Sequence, residues 1–345
     1  MNILSFDGGI SIVLALRLLR RVELLRPGFL SRVEFFSGIS DGAVAALLLA
    51  ARRGTPAQNL RALDDCIDVF HEIGAILRPG PRRLWQYARG RGSRSIAEAF
   101  EQLFERYLGA QAHLGELDQQ GRKFAVLAYE KSTWRRRVFR SFDFESEAER
   151  RRTLVDVALA CTAAIPILPP HRSPLDGLEY VDGAYVTNNP ALVAVQEACA
   201  HLERHGTAAG DPLGQLKLLS LGTTVRSADP TAPGRGRLSG LPRWMDRLDR
   251  SGWSMLLGRA LYLPDALFQG SVDTVDLQCA ELLGARYHRV RCIIPEVEWL
   301  AGLILAPERM RSLLDEEAEK RFATVLPGLD WIDANVNVNE PHSRA

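Results

Sequence analysis

The chain has 345 residues, of which 46% are hydrophobic and 25% charged. This is ordinary globular composition, and it excludes a disordered, collagen-like or coiled-coil chain. With 43 basic and 42 acidic side chains the formal charge is +1, so any attraction to nucleic acid or anionic membrane must be local.

Ile3-Leu4-Ser5-Phe6 is short and apolar and runs into Asp7-Gly8-Gly9, as a buried strand entering a tight turn does. Ile12 to Leu25 repeats Val13, Leu16, Leu19 and Val22 at helical spacing, and Arg26-Pro27-Gly28 stops it. Val33 to Phe36 reads as a second strand. Asp41 to Arg53 reads as a second helix, with Arg52-Arg53 in its last turn and Gly54 beyond. Strand, helix, strand, helix within 54 residues predicts an α/β fold, with a parallel sheet and crossover helices.

Residues 55 to 120 carry helical patterns, broken by Gly, Pro and Arg from Pro79 to Gly92. Phe124 to Tyr129 reads as a strand, with Arg137 to Phe142 as its hairpin partner. A helix is expected over Leu154 to Cys161. Tyr180-Val181 leads into Asp182-Gly183, and Pro190 opens a helix to Arg204. Leu216 to Leu221 is a core strand, and Arg226 to Pro242 reads as a long loop. Helices over about 243–284, a strand over Tyr287 to Ile294 and a helix near 307–323 complete the chain. A single domain over 1–332 is expected, with a core at 2–225, a helical part at 243–325 and a loose tail at 333–345.

The five cysteines, Cys66, Cys161, Cys199, Cys279 and Cys292, form no C-x-x-C pair. An odd, scattered set predicts reduced thiols and a cytoplasmic setting. The first seven residues lack the basic and apolar regions of a signal peptide. The strongest apolar run, Ala43 to Ala51, is nine residues, too short to span a bilayer. Contact with a membrane is therefore expected to be peripheral.

Three features can carry chemistry. Gly38-Ile39-Ser40-Asp41-Gly42 is a G-x-S-x-G between a strand and a helix, the setting of a nucleophile elbow. The glycines permit a strained turn, and the helix N-terminus offers free N–H groups to an oxyanion. The plain alternative is a strand-to-helix turn with Ser40 as N-cap. Asp7-Gly8-Gly9-Ile10-Ser11 allows close backbone approach to a ligand, either a phosphate or an oxyanion. Asp182-Gly183-Ala184 places a carboxylate at a strand end, able to reach the edge that holds Ser40, and a serine needs a base to be nucleophilic. Taken alone it is a solvated turn. None of His71, His113, His171, His201, His205, His288 and His342 sits in a glycine-flanked strand-end turn. A Ser-Asp-His order of the α/β-hydrolase kind, with a late elbow, fits poorly.

In this order the three features resemble the patatin-like phospholipase family. Ala160-Cys161-Thr162-Ala163-Ala164-Ile165-Pro166, Asn188-Asn189-Pro190 and Ser220-Leu221-Gly222-Thr223 add to the likeness, which runs over about residues 2 to 225. The resemblance implies a three-layer α/β/α fold with a mainly parallel sheet. It implies a serine lipid acyl hydrolase of phospholipase A or lysophospholipase type, with no cofactor and no metal. Ser40 and Asp182 would form a dyad without histidine, and Gly8, Gly9 and Ile10 would supply oxyanion N–H groups. The chain departs from the family pattern at Ile10 and Ser11, where a third glycine and then a basic residue are usual, and at Asp41, where Thr or Ala is commoner. The Asp41 carboxylate suits the helix dipole but would oppose a developing oxyanion if it faced inward, so it is expected to point outward. An impaired binding or scaffold protein on the same fold, and a phosphate or nucleotide binder using Gly8-Gly9, are the competing readings.

A lipid substrate requires contact with a lipid surface. Arg82 to Tyr87 and Trp134 to Arg137 interleave basic and aromatic residues as such a contact would. They equally suit a solvated face. Trp244, Met245, Leu248, Trp253, Leu256 and Leu257 could form an apolar face over the site, or simply core. No nucleic-acid module is recognisable.

Overall fold

The structure is a computed structural model. It describes residues 1–9, 12–77, 92–165, 167–206, 211–224, 270–293 and 328–336, together with 316, 318, 319 and 322. Arg82 to Tyr87, Arg226 to Pro242, the apolar set from Trp244 to Leu257 and Ile10 lie outside the described residues.

The strands are β1 (Asn2–Phe6), β2 (Phe35–Ile39), β3 (Lys123–Glu130), β4 (Arg135–Arg140), β5 (His171–Arg172), β6 (Glu179–Asp182), β7 (Lys217–Thr224) and β8 (Tyr287–Ile293). They form one sheet in the order β5-β6-β3-β2-β1-β7-β8, with β4 on the remaining edge of β3. The pairs from β3 through β2, β1 and β7 to β8 are parallel, while β4, β5 and β6 add antiparallel pairs. The principal helices are α1 (Ile12–Leu25), α2 (Asp41–Arg52), α3 (Pro56–Leu77), α4 (Gly92–Leu108), α5 (Leu154–Thr162) and α6 (Ala191–Arg204). Residues 270–283 and 328–336 are also helical.

Side chains alternate across the strands, so the sheet buries two faces. Leu4, Phe6, Phe36 and Val126 join a core with α1 to α5. Ile3, Phe35, Ala125 and Leu218 join a second core with Ala191, Ala194, Val195 and Ala198 of α6, and with Cys279 and Leu283. The result is helix, sheet, helix: three layers. β2 starts two residues later than expected and runs through Gly38 and Ile39 to the elbow. Its one polar interior side chain, Ser37, is buried and donates to the Ala125 carbonyl at 2.8 Å.

Part of the expected tail is helical, and residues 337–345 lie outside the described residues. Asp333 to Val336 close the helix at 328–336, whose Leu329, Ile332 and Val336 are buried in the first core. Asp333 pairs with Arg26, and Lys217 Nζ donates to the Asn335 carbonyl at 2.7 Å. These contacts lie far apart in sequence, and no local pattern announces them.

Candidate active site

The pairing of β3 brings the two strand ends of the site together. β2 runs along β3 as far as Ile39 opposite Leu127. β6 runs the other way and reaches Asp182 opposite Ala128. Because β4 holds the opposite edge of β3, β2 and β6 share one edge and meet head to head. Ser40 leaves one of them just where Asp182 ends the other.

Ser40 has φ 53° and ψ −127°, in the left-handed half of backbone space that non-glycine residues avoid. Holding a serine there costs about 1–3 kcal/mol, which the surrounding packing must offset. The packing is tight: a Cβ at Gly38 would lie 2.0 Å from the Gly42 carbonyl oxygen, and one at Gly42 would lie 2.3 Å from that of Phe6. Only glycine fits at either position. Ser40 Oγ makes no capping bond to α2. It donates instead to Asp182 Oδ2 at 2.6 Å. The other carboxylate oxygen, Oδ1, accepts from the Ala184 N–H at 2.8 Å.

Asp182 is 2% exposed. Burial pushes its carboxyl up to about 7, and the charge of Asp41 adds to the rise. The hydrogen bonds from Ser40 and Ala184 act the other way. Asp41 is partly buried rather than pointing freely outward, and burial lifts it to about 6. Two acidic groups with raised affinity for protons therefore flank the serine. No histidine bonds to Ser40 or Asp182 among the described residues.

The Gly8-Gly9 turn stands against this pair. A Cβ at Gly8 would lie 2.9 Å from Ser40 Cβ. The Gly8 carbonyl accepts from Asn188 Nδ2 at 3.1 Å and from Thr223 Oγ1. Its N–H faces the Asn188 carbonyl at a long 3.4 Å. Gly9, at φ 114°, donates its N–H to no acceptor among the described residues. Asn188 and Thr223 lie in stretches that carried the resemblance, yet no local pattern gave them a partner 180 or more residues away.

A family model, Patatin-like phospholipase, matches residues 4–195, more than half of the chain. The chain belongs to the patatin-like phospholipase family. The Bacillus subtilis protein CotR, named as a sporulation hydrolase, is 27% identical over 314 residues, covering 85% of this chain and 88% of CotR. Patatin-like protein 2 of Arabidopsis thaliana is 25% identical over 181 residues, covering 48% of this chain and 41% of the plant protein. Among solved structures, VipD from Legionella pneumophila superposes with a TM-score of 0.39 at 10% identity, over 92% of this chain and 67% of that one. The sheet flanked by two helical layers is the patatin-like three-layer fold.

Away from the site, Asp143 accepts from His205 Nε2 at 2.7 Å and contacts His201 Nδ1 at 3.0 Å. These three have the donor set for a cation. Arg204 also donates to Asp143 at 2.8 Å, which puts a fixed positive charge beside any such ion. Among the described residues no helix is long and apolar enough to cross a membrane, and all five cysteines are free thiols.

Proposed function

We propose that this patatin-like protein is a serine hydrolase of fatty-acyl esters, of phospholipase A or lysophospholipase type, working through an acyl-enzyme on Ser40. The observation that carries the reading is the 2.6 Å bond from Ser40 Oγ to Asp182 at a strained elbow. Asp182 takes the hydroxyl proton as Oγ bonds to the ester carbonyl carbon. The proton passes to the leaving alkoxide as the ester C–O bond breaks. Water then attacks the acyl-enzyme, losing a proton to Asp182, and the fatty acid leaves as Ser40 regains a proton.

A carboxylate of ordinary pKa is a poor base for this work. At about 7 Asp182 is better matched to neutral pH. The Gly9 N–H and the Asp41 N–H, the latter at the free N-terminus of α2, are the donors we assign to the oxyanion. Gly8 contributes by shape, since its own N–H turns toward Asn188.

The surroundings support a lipid substrate. Ile165 and Ile167 are 44% and 47% exposed, and Tyr185 and Val186 are 47% and 54% exposed. The two groups flank Asp182: Tyr185 and Val186 follow it closely, and the Ala163 carbonyl accepts from the Asp182 N–H at 3.1 Å. Tyr185 Oη donates to the Ile165 carbonyl at 2.5 Å, which ties them into one apolar rim. Trp134, 64% exposed, sits on the turn after β3, at the same end of the sheet. A rim of this kind suits an acyl chain or a lipid surface met from the cytoplasmic side.

Turnover of a short-chain ester by wild type, Ser40→Ala and Asp182→Asn tests the reading. Wild-type turnover should fall to background in both variants. Full activity in Ser40→Ala would overturn it. A wild type without activity or covalent labelling would favour a binding protein on the same fold.

A further inference from the structure

Asp7 is the first residue after β1 and the last before the Gly8-Gly9 turn. Its carboxylate is 1% exposed and meets the guanidinium of Arg289, from the middle of β8, itself 4% exposed. Nη1 donates to Oδ1 at 3.2 Å and Nη2 to Oδ2 at 2.5 Å, while Nη1 also donates to Ser220 Oγ at 2.7 Å. Gly222 leaves the room this requires, because a Cβ there would lie 2.6 Å from Nη2 and 2.9 Å from Cζ.

Most of the other bonds at this point fix backbone atoms. The Asp7 N–H donates to the Leu221 carbonyl at 3.0 Å, and the Gly8 carbonyl is held by Asn188 and Thr223. The Thr223 N–H also donates to the Asp7 carboxylate, but the two-pronged side-chain grip on it comes from Arg289, on a strand 282 residues away. A buried ion pair adds little net stability over apolar residues of similar size. A two-pronged grip does fix direction.

We propose that Arg289 is a positioning residue: its fork on Asp7 sets the path of the Gly8-Gly9 turn and so aims the Gly9 N–H at the carbonyl oxygen of an ester attacked by Ser40. The role rests on the acyl-hydrolase reading above. Arg289 touches neither Ser40 nor Asp182 and acts through Asp7.

The test uses the full chain with a short-chain ester and a trifluoromethyl ketone that mimics the tetrahedral adduct. The variants are Arg289→Lys, which keeps the charge without the fork, and the paired Asp7→Asn/Arg289→Met, which removes both charges of the pair and leaves Asp276, which also lies 3.8 Å from Arg289, paired with Arg291. Thermal melts report folding for each. In the folded paired variant kcat should fall about 10²-fold, the effect of misplacing a reacting geometry by about 1 Å. KM should stay within about twofold while the ketone weakens in step with kcat, because the lost interaction exists only in the transition state. Arg289→Lys should lie between the two. A folded paired variant that keeps wild-type kcat and ketone affinity, while Ser40→Ala is inactive, would overturn the positioning role and leave the hydrolase reading standing. Loss of kcat that only tracks the unfolded fraction in both variants would overturn it too. Activity in Ser40→Ala would remove both.

Discussion

At the scale of single residues, the protonation of Asp182 governs the proposed chemistry. Its base form accumulates above about pH 7, so turnover should rise with pH through that value. Asp41 raises that pKa by its charge. Asp41→Asn should therefore move the midpoint of the rate profile to lower pH, measured as kcat/KM from pH 5 to 9. An unmoved midpoint would mean that the two carboxyls do not interact. Stability follows the same group with the opposite benefit. Asp182 has a folded pKa above its unfolded value near 3.9, so the folded chain binds the proton more tightly. That contribution is complete below about pH 4 and is lost as pH rises through about 7. Asp182→Asn should be inactive yet melt several degrees above wild type at pH 8, with the gap closing toward pH 4. Melts at the two pH values check this.

Ser40 and Asp182 were legible in the sequence because each lies beside glycine at a strand end, where close backbone approach leaves a mark on residue choice. The contacts of Arg289, Asn188 and Thr223 were not. Each residue acts across the fold through a contact 180 to 282 residues distant, and a lone arginine inside a strand pattern says nothing of what lies opposite. The outward Asp41 rested on keeping a carboxylate away from a developing oxyanion, and packing around the elbow leaves it partly buried instead.

At the scale of elements, β6 decides whether the site exists, since it carries Asp182 to the edge that β2 vacates. Its four residues are too few to reveal direction, so the antiparallel pairing was invisible from sequence, as was the two-residue β5. A buried polar network holds this hairpin against α5. Arg152, 2% exposed, donates to Asp156 at 2.5 Å, Ser173 at 2.8 Å and Asp176 at 2.5 Å. His171 Nε2 lies 2.6 Å from Asp156, and Tyr180 Oη donates to Asp176 at 2.7 Å. Removing Arg152 takes the fixed counter-charge from the buried Asp156, leaving it only His171 and Ser173. Arg152→Met should cost about 3–5 kcal/mol in denaturant unfolding, as breaking a buried pair does. A loss under 1 kcal/mol would show that the network adds little. The regular elements were the readable part of the fold: the ends of α1, α2, α5 and β3 fall within a residue or two of where Pro, Gly and the apolar spacing put them.

At the scale of the whole molecule, the sheet keeps the machinery at one end. β1, β2 and β7 run parallel, so the Gly8-Gly9 turn, Ser40 and Thr223 emerge together. β6 arrives from the opposite direction to meet them, and the exposed Ile165, Ile167, Tyr185 and Val186 flank Asp182. On the proposed reading this arrangement sets a nucleophile beside a buried base, with an apolar approach. The most direct test of that claim is the rate at which a fluorophosphonate labels the protein, followed by intact mass and peptide mapping across pH. One adduct on Ser40 is expected, forming faster as pH rises with a midpoint near 7 and at least about 10²-fold slower in Asp182→Asn, the scale of a lost general base. An Asp182→Asn protein that labels at the wild-type rate, or an adduct elsewhere with Ser40 untouched, would contradict it.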